Sequence, residues 1–267
     1  MSKSIAVFGA GPGLGQAVAH RYAREGYAVV LVARRQQPLD VLAKDLTGAG
    51  STAHAITADL STTDTVRPLA EQIRAKVGDL DAFYYAPAVG DAGFVPTADL
   101  TPQHVQDFMP LAVYALLALV QEFLPQMVEQ GHGAILTALG ASAVQGPPNM
   151  SGPATALAAQ RNYLQSLHAE VAEKGVYVGR LYIGAVIENS AFHAETEAAK
   201  AAGAVTPEWS IADPPISPTC SGPCTVRKAS RKPSIPRASS TAEKPFLRKV
   251  SGPTSAQALV RPLIPAA

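Results

Sequence analysis

Gly9, Gly11, Gly13 and Gly15 stand in the run Phe8-Gly9-Ala10-Gly11-Pro12-Gly13-Leu14-Gly15, behind an apolar stretch and ahead of a helix-period segment. Small residues at a strand-to-helix turn let the main chain approach a pyrophosphate. The helix start adds unpaired N–H groups and a dipole that favours anions. The chemistry open to this spacing is dinucleotide binding, with Gly9, Gly11, Gly13, Leu14 and Gly15 as the cradle. Glycines also mark ordinary turns, and that plainer reading stands beside it. A second signal lies at Val32-Ala33-Arg34-Arg35. Folds that prefer NAD commonly place an acid here for the ribose diol. Two guanidiniums stand here instead, and they can clamp a 2′-phosphate bidentately. NADP(H) is therefore the expected cofactor, against the alternative of two solvated arginines on a loop.

These groups need a frame, and the hydropathy pattern supplies one. Apolar runs at Ile5–Phe8, Ala28–Ala33, Thr52–Thr57, Ala82–Ala86, Ala134–Thr137 and Tyr177–Ile183 read as strands. Helix-period segments lie between them, near Leu14–Arg24, Leu39–Leu46, Thr65–Lys76, Pro102–Glu129 and Ala154–Ala172. Alternation of this kind signals βαβ units, and strands apolar on both faces need helices on both sides. The expected fold class is α/β, a Rossmann-type doubly wound parallel sheet in a single domain over residues 1–213.

Charge and composition set the outer limits. Of 22 basic and 21 acidic residues, nine basic and one acidic lie in 214–267, which leaves 13 and 20 for residues 1–213. An acidic body argues against nucleic acid as a partner. No apolar run in the sequence approaches the roughly 20 residues that span a bilayer, and nothing at the N-terminus reads as a secretory signal. A cytoplasmic protein without a membrane partner is expected. Ten prolines between Pro214 and Pro265, among Ser, Thr, Lys and Arg, mark a disordered tail. Back-translated with GC-rich codons and read one nucleotide out of frame, Pro214–Arg237 becomes PADIADLLWTLYGPQGQPEAVYPA, an amphipathic helix start with an ordinary ending. The tail is thus read as disordered or frameshift-derived. Cys220 and Cys224 within it make a lone C-x3-C without nearby His, and no metal site is expected.

On its glycine turn, Gly9-x3-Gly13-x-Gly15, the chain resembles the short-chain dehydrogenase/reductase family over about residues 4–190. Phe8 replaces the usual Thr. The resemblance implies that the pair Asp59-Leu60, in Ala58-Asp59-Leu60, belongs to the cofactor site and contacts the adenine amino group through Asp59, with an N-cap of the next turn as the other reading of Asp59. It implies main-chain contacts to the cofactor at Ala86 and Pro87, where Tyr85-Ala86-Pro87-Ala88 replaces Asn-Asn-Ala-Gly. At the end of the last strand, Ile183-Gly184 replaces Pro-Gly. Gly184 and the N–H of Val186 are then expected near the nicotinamide, while Glu188 replaces a common Thr. A homodimer or homotetramer through the long helices, with Leu111–Leu119 contributing, is also implied.

The family's Asn-Ser-Tyr-Lys catalytic set is where the chain departs. Counting from Leu124-Pro125-Gln126-Met127 and from Leu167–Val171 places Ala112, Gly140, Pro153 and Leu157 at those four positions. Carbonyl reduction needs a phenol of lowered pKa and a hydroxyl to hold the substrate oxygen. Proline and leucine offer neither. Pro153 reads as a first helical residue capped by Ser151 or Gly152. Leu157 joins an apolar stripe with Leu164, Leu167 and Val171. Ser142 and Asn149 remain on the pocket loop, and Tyr85 and Tyr114 are the phenols nearest it in the family layout. Tyr163 lies about 15 Å further along the helix. Catalytic candidates are therefore Ser142, Tyr85 and Tyr114. Two functions remain open: an atypical NADP(H)-dependent oxidoreductase for an unknown carbonyl or alcohol, or a non-catalytic NADP(H)-binding sensor or partner-binding module.

Overall fold

The computed structural model describes residues 3–87, 93–203 and 210–212. The tail 214–267, with Cys220 and Cys224, lies outside the described residues. Six parallel strands form the sheet: β1 (Ser4–Phe8), β2 (Ala28–Ala33), β3 (Ala53–Thr57), β4 (Ala82–Tyr85), β5 (Gly133–Gly140) and β6 (Val176–Ile183). Their order is β3-β2-β1-β4-β5-β6. The chain thus reverses its winding between β1 and β4, and in such sheets ligands bind beyond the carboxyl ends of the strands at that point.

Helices α1 (Leu14–Arg24) and α2 (Gln36–Gly48) pack against β1–β3. A second layer comprises α3 (Val66–Val77), α5 (Ala115–Gln130) and α6 (Pro153–Val171), which share one core with Phe8, Val30, Val32, Phe83, Tyr85, Ile135 and Val178. The alternate residues Ile5, Val7, Val29 and Leu31 are fully buried as well. This two-sided burial is why the strands read as unbroken apolar runs.

β5 runs three residues past its expected end, because Ala138, Leu139 and Gly140 pair with Leu181, Tyr182 and Ile183 of β6. This extension carries β5 directly to the candidate catalytic loop. The long helix expected near Pro102–Glu129 is divided into α4 (Pro102–Met109), a π-helical segment (Pro110–Tyr114) and α5. Pro110 has no N–H to donate and its ring crowds the preceding turn. The ladder widens there, and Ala115 N–H reaches the Pro110 carbonyl five residues back. The helical run Pro102–Gln130 is nonetheless long and apolar enough to cross a membrane, with mean hydropathy 1.6 in its best window. That corrects the expectation that no segment qualifies. Here its residues Leu116, Leu119, Phe123 and Met127 are buried in the core against the sheet. After β6 come three elements with no sequence counterpart above: β7 (Val186–Ile187), α7 (Ala191–Ala201) and β8 (Ile211–Ala212), with β7 and β8 paired in parallel.

Candidate functional site

The glycine turn is held closed by its own main chain. Gly9 N–H and Ala10 N–H both donate to the Val32 carbonyl, at 2.9 and 3.1 Å. A methyl group on Gly15 would lie 2.0 Å from the Gly9 carbonyl oxygen, and one on Gly9 would lie 2.6 Å from the Ala86 oxygen and 2.9 Å from Pro87 Cα. Gly9 also has φ +94° and Gly13 φ +86°, where a side chain is strained. The two ends of the switch point, β1 and β4, therefore touch through Gly9, Ala86 and Pro87. Gly11 differs: a methyl group there meets nothing within 4 Å. Gly9 and Gly15 serve the packing of the turn, and Gly11 borders open space in front of α1, where Leu14 starts the helix. That shape fits a pyrophosphate approaching the main chain.

At the end of β2, Arg34 and Arg35 are exposed and neither has an ion-pair partner among the described residues. The adjoining polar groups are already engaged with each other. Gln36 Nε2 donates to Asp40 Oδ1 at 2.7 Å, and Thr57 Oγ1 donates to Gln36 Oε1. Asp59 Oδ1 accepts from Ser61 N–H at 2.9 Å and from Ser61 Oγ at 2.8 Å. The Ser61 backbone and hydroxyl hold its carboxyl below the usual range, with Arg34 assisting. Asp59 thus closes the turn after β3 with one oxygen and stays ionised. Its neighbour Leu60 is buried in the core.

The catalytic candidates separate by location. Tyr85 is 1% exposed, and its hydroxyl donates to the Leu111 carbonyl in the π segment. Burial raises this phenol far above its ordinary value. Its proton is committed to a helix carbonyl, so the structure makes it a tie and corrects its candidacy as an acid. Tyr114, at the other end of the π segment, is 47% exposed. Ser142 sits half-buried in a short 3-10 turn, Ala141–Ala143. A methyl group on Gly140 would lie 3.3 Å from Ser142 Oγ and 3.6 Å from Leu157 Cδ1. Ala112 packs with Phe108 and Ala156, and Leu157 closes over the same cluster. Ala112, Gly140, Ser142 and Leu157 therefore converge, and the group they form is apolar except for one hydroxyl. Gly152 takes the N-cap of α6 at φ +102° with Pro153 behind it. Ser151 instead pairs its hydroxyl with Thr97 Oγ1 at 2.7 Å and its main chain with Val95. Asn149 is exposed at φ +59°, a turn conformation asparagine tolerates. Tyr163 packs against the core, its phenol raised by burial and by Glu170.

Beyond β6 one expectation is overturned. The Val186 N–H donates to the Ser210 carbonyl at 2.8 Å, and Val186 is 2% exposed. That donor is spent on the β7–β8 pair and has nothing left for a nicotinamide carboxamide. Glu188 N–H is likewise taken, by the Ala212 carbonyl at 2.9 Å. Gly184 stays exposed, with Ala141 its nearest neighbour.

A family model of the short chain dehydrogenases matches residues 3–200. The chain belongs to the short chain dehydrogenase family. Among the chain's curated relatives is the uncharacterized oxidoreductase YvrD of Bacillus subtilis, 30% identical over 151 residues, which are 55% of this chain and 55% of that protein. The chain spans about half to three fifths of the length of the first curated relatives it matches. Among solved structures, an NADPH-bound short chain oxidoreductase from Pseudomonas aeruginosa PAO1, described as containing an atypical catalytic center, is 26% identical. It matches with a TM-score of 0.67 over 73% of this chain and 76% of that one. A 7α-hydroxysteroid dehydrogenase complexed with NADH and 7-oxo glycochenodeoxycholic acid matches at 24% identity, with a TM-score of 0.64 over 69% and 71%. The fold is thus shared with proteins that hold either nicotinamide dinucleotide.

One residue at the site escaped the sequence reading. Ser190 lies directly on the glycine turn: a methyl group on Gly13 would be 3.2 Å from both Ser190 Cα and Cβ. The signal was available locally, since Ser190 precedes Ala191–Ala201 and caps it, its Oγ accepting from His193 N–H at 3.1 Å. Cap patterns report where a helix starts and nothing of what it faces.

Proposed function

We propose that this short chain dehydrogenase is an NADP(H)-dependent oxidoreductase for a carbonyl/alcohol pair, working without the family's Asn-Ser-Tyr-Lys set. The observation that carries the reading is the pair of exposed guanidiniums, Arg34 and Arg35, without an ion-pair partner among the described residues, beside a closed glycine turn with open space at Gly11. Gly11, Gly13 and Leu14 would hold the pyrophosphate, Arg34 and Arg35 the 2′-phosphate, and Asp59 the adenine amino group through the oxygen not used by Ser61. Ala86, Pro87 and Gly184 would border the nicotinamide half. The bound cofactor supplies the hydride.

The four catalytic positions hold Ala112, Gly140, Pro153 and Leu157, and the NADPH-bound relative with an atypical catalytic center supports this reading. Ser142 Oγ is the polar atom of the convergent group and would orient a substrate oxygen. Tyr114, solvent-exposed, or water would supply the proton. By the same family likeness, the chain works as a homodimer or homotetramer in the cytoplasm, with no nucleic acid or membrane partner; separately, the back-translation of Pro214–Arg237 supports a frameshift as the origin of residues 214–267. Sequencing the coding DNA against close relatives tests the last point: an unbroken frame shared with them refutes it.

Calorimetric titration of the purified full chain with NADPH and NADH, then turnover on a carbonyl panel, tests the function. Micromolar NADPH binding, much weaker NADH binding, and turnover lost in Ser142→Ala are expected. NADPH binding without any turnover would instead establish the non-catalytic sensor, which the apolar packing of Ala112 and Leu157 favours.

A further inference from the structure

We propose that Ser190 is a pyrophosphate ligand, so that the first turn of α7 closes the cofactor site from the side opposite α1. The inference rests on the reading of the glycine turn as the dinucleotide site. Three observations carry it.

The first is proximity. Ser190 Cα, Cβ and N are the atoms nearest to a methyl group built on Gly13, at 3.2 to 3.3 Å. Gly13 immediately precedes α1, so whatever anion Gly13 and Leu14 face, Ser190 adjoins as well.

The second is hydrogen-bond capacity. Ser190 Oγ accepts from His193 N–H, and Ser190 N–H donates to the Ile187 carbonyl at 3.1 Å. A hydroxyl has one donor and two acceptor sites, and capping uses one acceptor. The O–H proton is therefore available to a phosphate oxygen while the cap stays intact.

The third is that α7 is held in place independently of any ligand. Glu188 N–H is tied to Ala212, and the ring of Phe192 packs edge-on against Phe94 at 6.4 Å between centroids. Ser190 sits between these two anchors. Glu188, which stands where the family often has Thr, carries a charge of the wrong sign for a phosphate. Ser190, two residues later, instead places a neutral hydroxyl residue against the glycine turn.

The experiment must separate a phosphate contact from a helix cap. Serine, threonine and aspartate all cap helices well, and alanine does not. NADPH and adenosine 2′-monophosphate are titrated into the full chain and into Ser190→Thr, Ser190→Ala and Ser190→Asp, with thermal melts alongside. Adenosine 2′-monophosphate engages Arg34 and Arg35 and has no pyrophosphate. The expected result is NADPH binding near wild type for Ser190→Thr and about 10-fold weaker for Ser190→Ala, the size of one hydrogen bond to a charged group. Ser190→Asp keeps the cap but sets a carboxylate against the pyrophosphate, and is expected to be weaker again by about 10-fold or more. Adenosine 2′-monophosphate affinity should not change in any variant.

Ser190→Asp binding NADPH like wild type while Ser190→Ala is impaired would reduce Ser190 to a cap and overturn the proposal. So would wild-type affinity in all three variants. A folded wild-type chain that binds no NADPH would instead remove the underlying reading of the glycine turn, and the proposal with it.

Discussion

Gly15 and Gly11 differ by four residues and should fail in different ways when given a methyl group. Gly15→Ala sets its Cβ 2.0 Å from the Gly9 carbonyl oxygen, whereas ordinary contact begins near 3.4 Å, so about 1.4 Å must be found. The turn cannot retreat freely. Gly9 and Ala10 are both bonded to Val32 O, and Gly9 abuts Ala86 and Pro87. Yielding breaks those two bonds, at about 1 kcal/mol each net, and adds overpacking of about 1–3 kcal/mol. A loss of about 3–5 kcal/mol follows, which lowers Tm by about 10 °C for a domain of this size. Gly11→Ala meets nothing within 4 Å, and its φ lies outside the left-handed region, so the Tm should stay within a degree or two. NADPH affinity should nonetheless fall at least 10-fold in Gly11→Ala, because the methyl group enters the space offered to the phosphates. Thermal melts followed by circular dichroism, paired with calorimetric titration, read both quantities. An unchanged Tm in Gly15→Ala, or equal Tm losses in the two variants, would refute the division between glycines that close the fold and the glycine that admits a ligand.

Arg34→Ala and Arg35→Ala should each weaken NADPH binding about 10-fold or more, the usual worth of a charge-assisted bond, and leave NADH unchanged; equal losses for both dinucleotides would contradict the 2′-phosphate clamp. Adjacent tyrosines on β4 should respond to removal of their hydroxyls with opposite signs. Tyr84 OH is buried with no partner among the described residues, so Tyr84→Phe should leave Tm unchanged or raise it. Tyr85→Phe strands the Leu111 carbonyl and should cost about 1–3 kcal/mol, with no effect on any turnover. Alkaline pH should unfold the protein steeply. Burial pushes Tyr22 up to about 12 from 10.0, and raises Tyr84 and Tyr85 further. A phenol with a raised folded pKa contributes stability that is full below its unfolded value near 10 and is lost as pH climbs through the folded value. Absorbance at 295 nm should therefore show these three of the eight tyrosines ionising only with unfolding above about pH 10; early titration of all eight would show the burial to be wrong.

Much of this architecture was legible because its signals are local. Strands covered on both faces must be apolar throughout, so Ile5–Phe8 and Ala28–Ala33 announced themselves. The first helix likewise followed from its glycine start, and Leu14–Arg24 agrees with the structure to the residue. The π segment was not legible, although Pro110 marks its place, because one proline can end, kink or widen a helix depending on the tertiary contacts around it. Here the Tyr85 hydroxyl, on a strand 26 residues away, donates to the Leu111 carbonyl of that segment. The same limit applied to Val186, whose sequence position suggested a free N–H. Its actual partner, Ser210, belongs to a short parallel pair that no periodicity reports.

By itself, then, the sequence determined the α/β class, the place of the glycine turn, the guanidiniums at the end of β2 and the residue types at Ala112, Gly140, Pro153 and Leu157. Each of these depends on residue chemistry within one turn or one strand. Only the tertiary structure decided which glycines are packed and which faces open space, that Tyr85 is a tie and not an acid, and that Ser190 lies on Gly13. Those outcomes depend on distances between segments as much as 177 residues apart, and such distances are set when the sheet and its layers close around a common core.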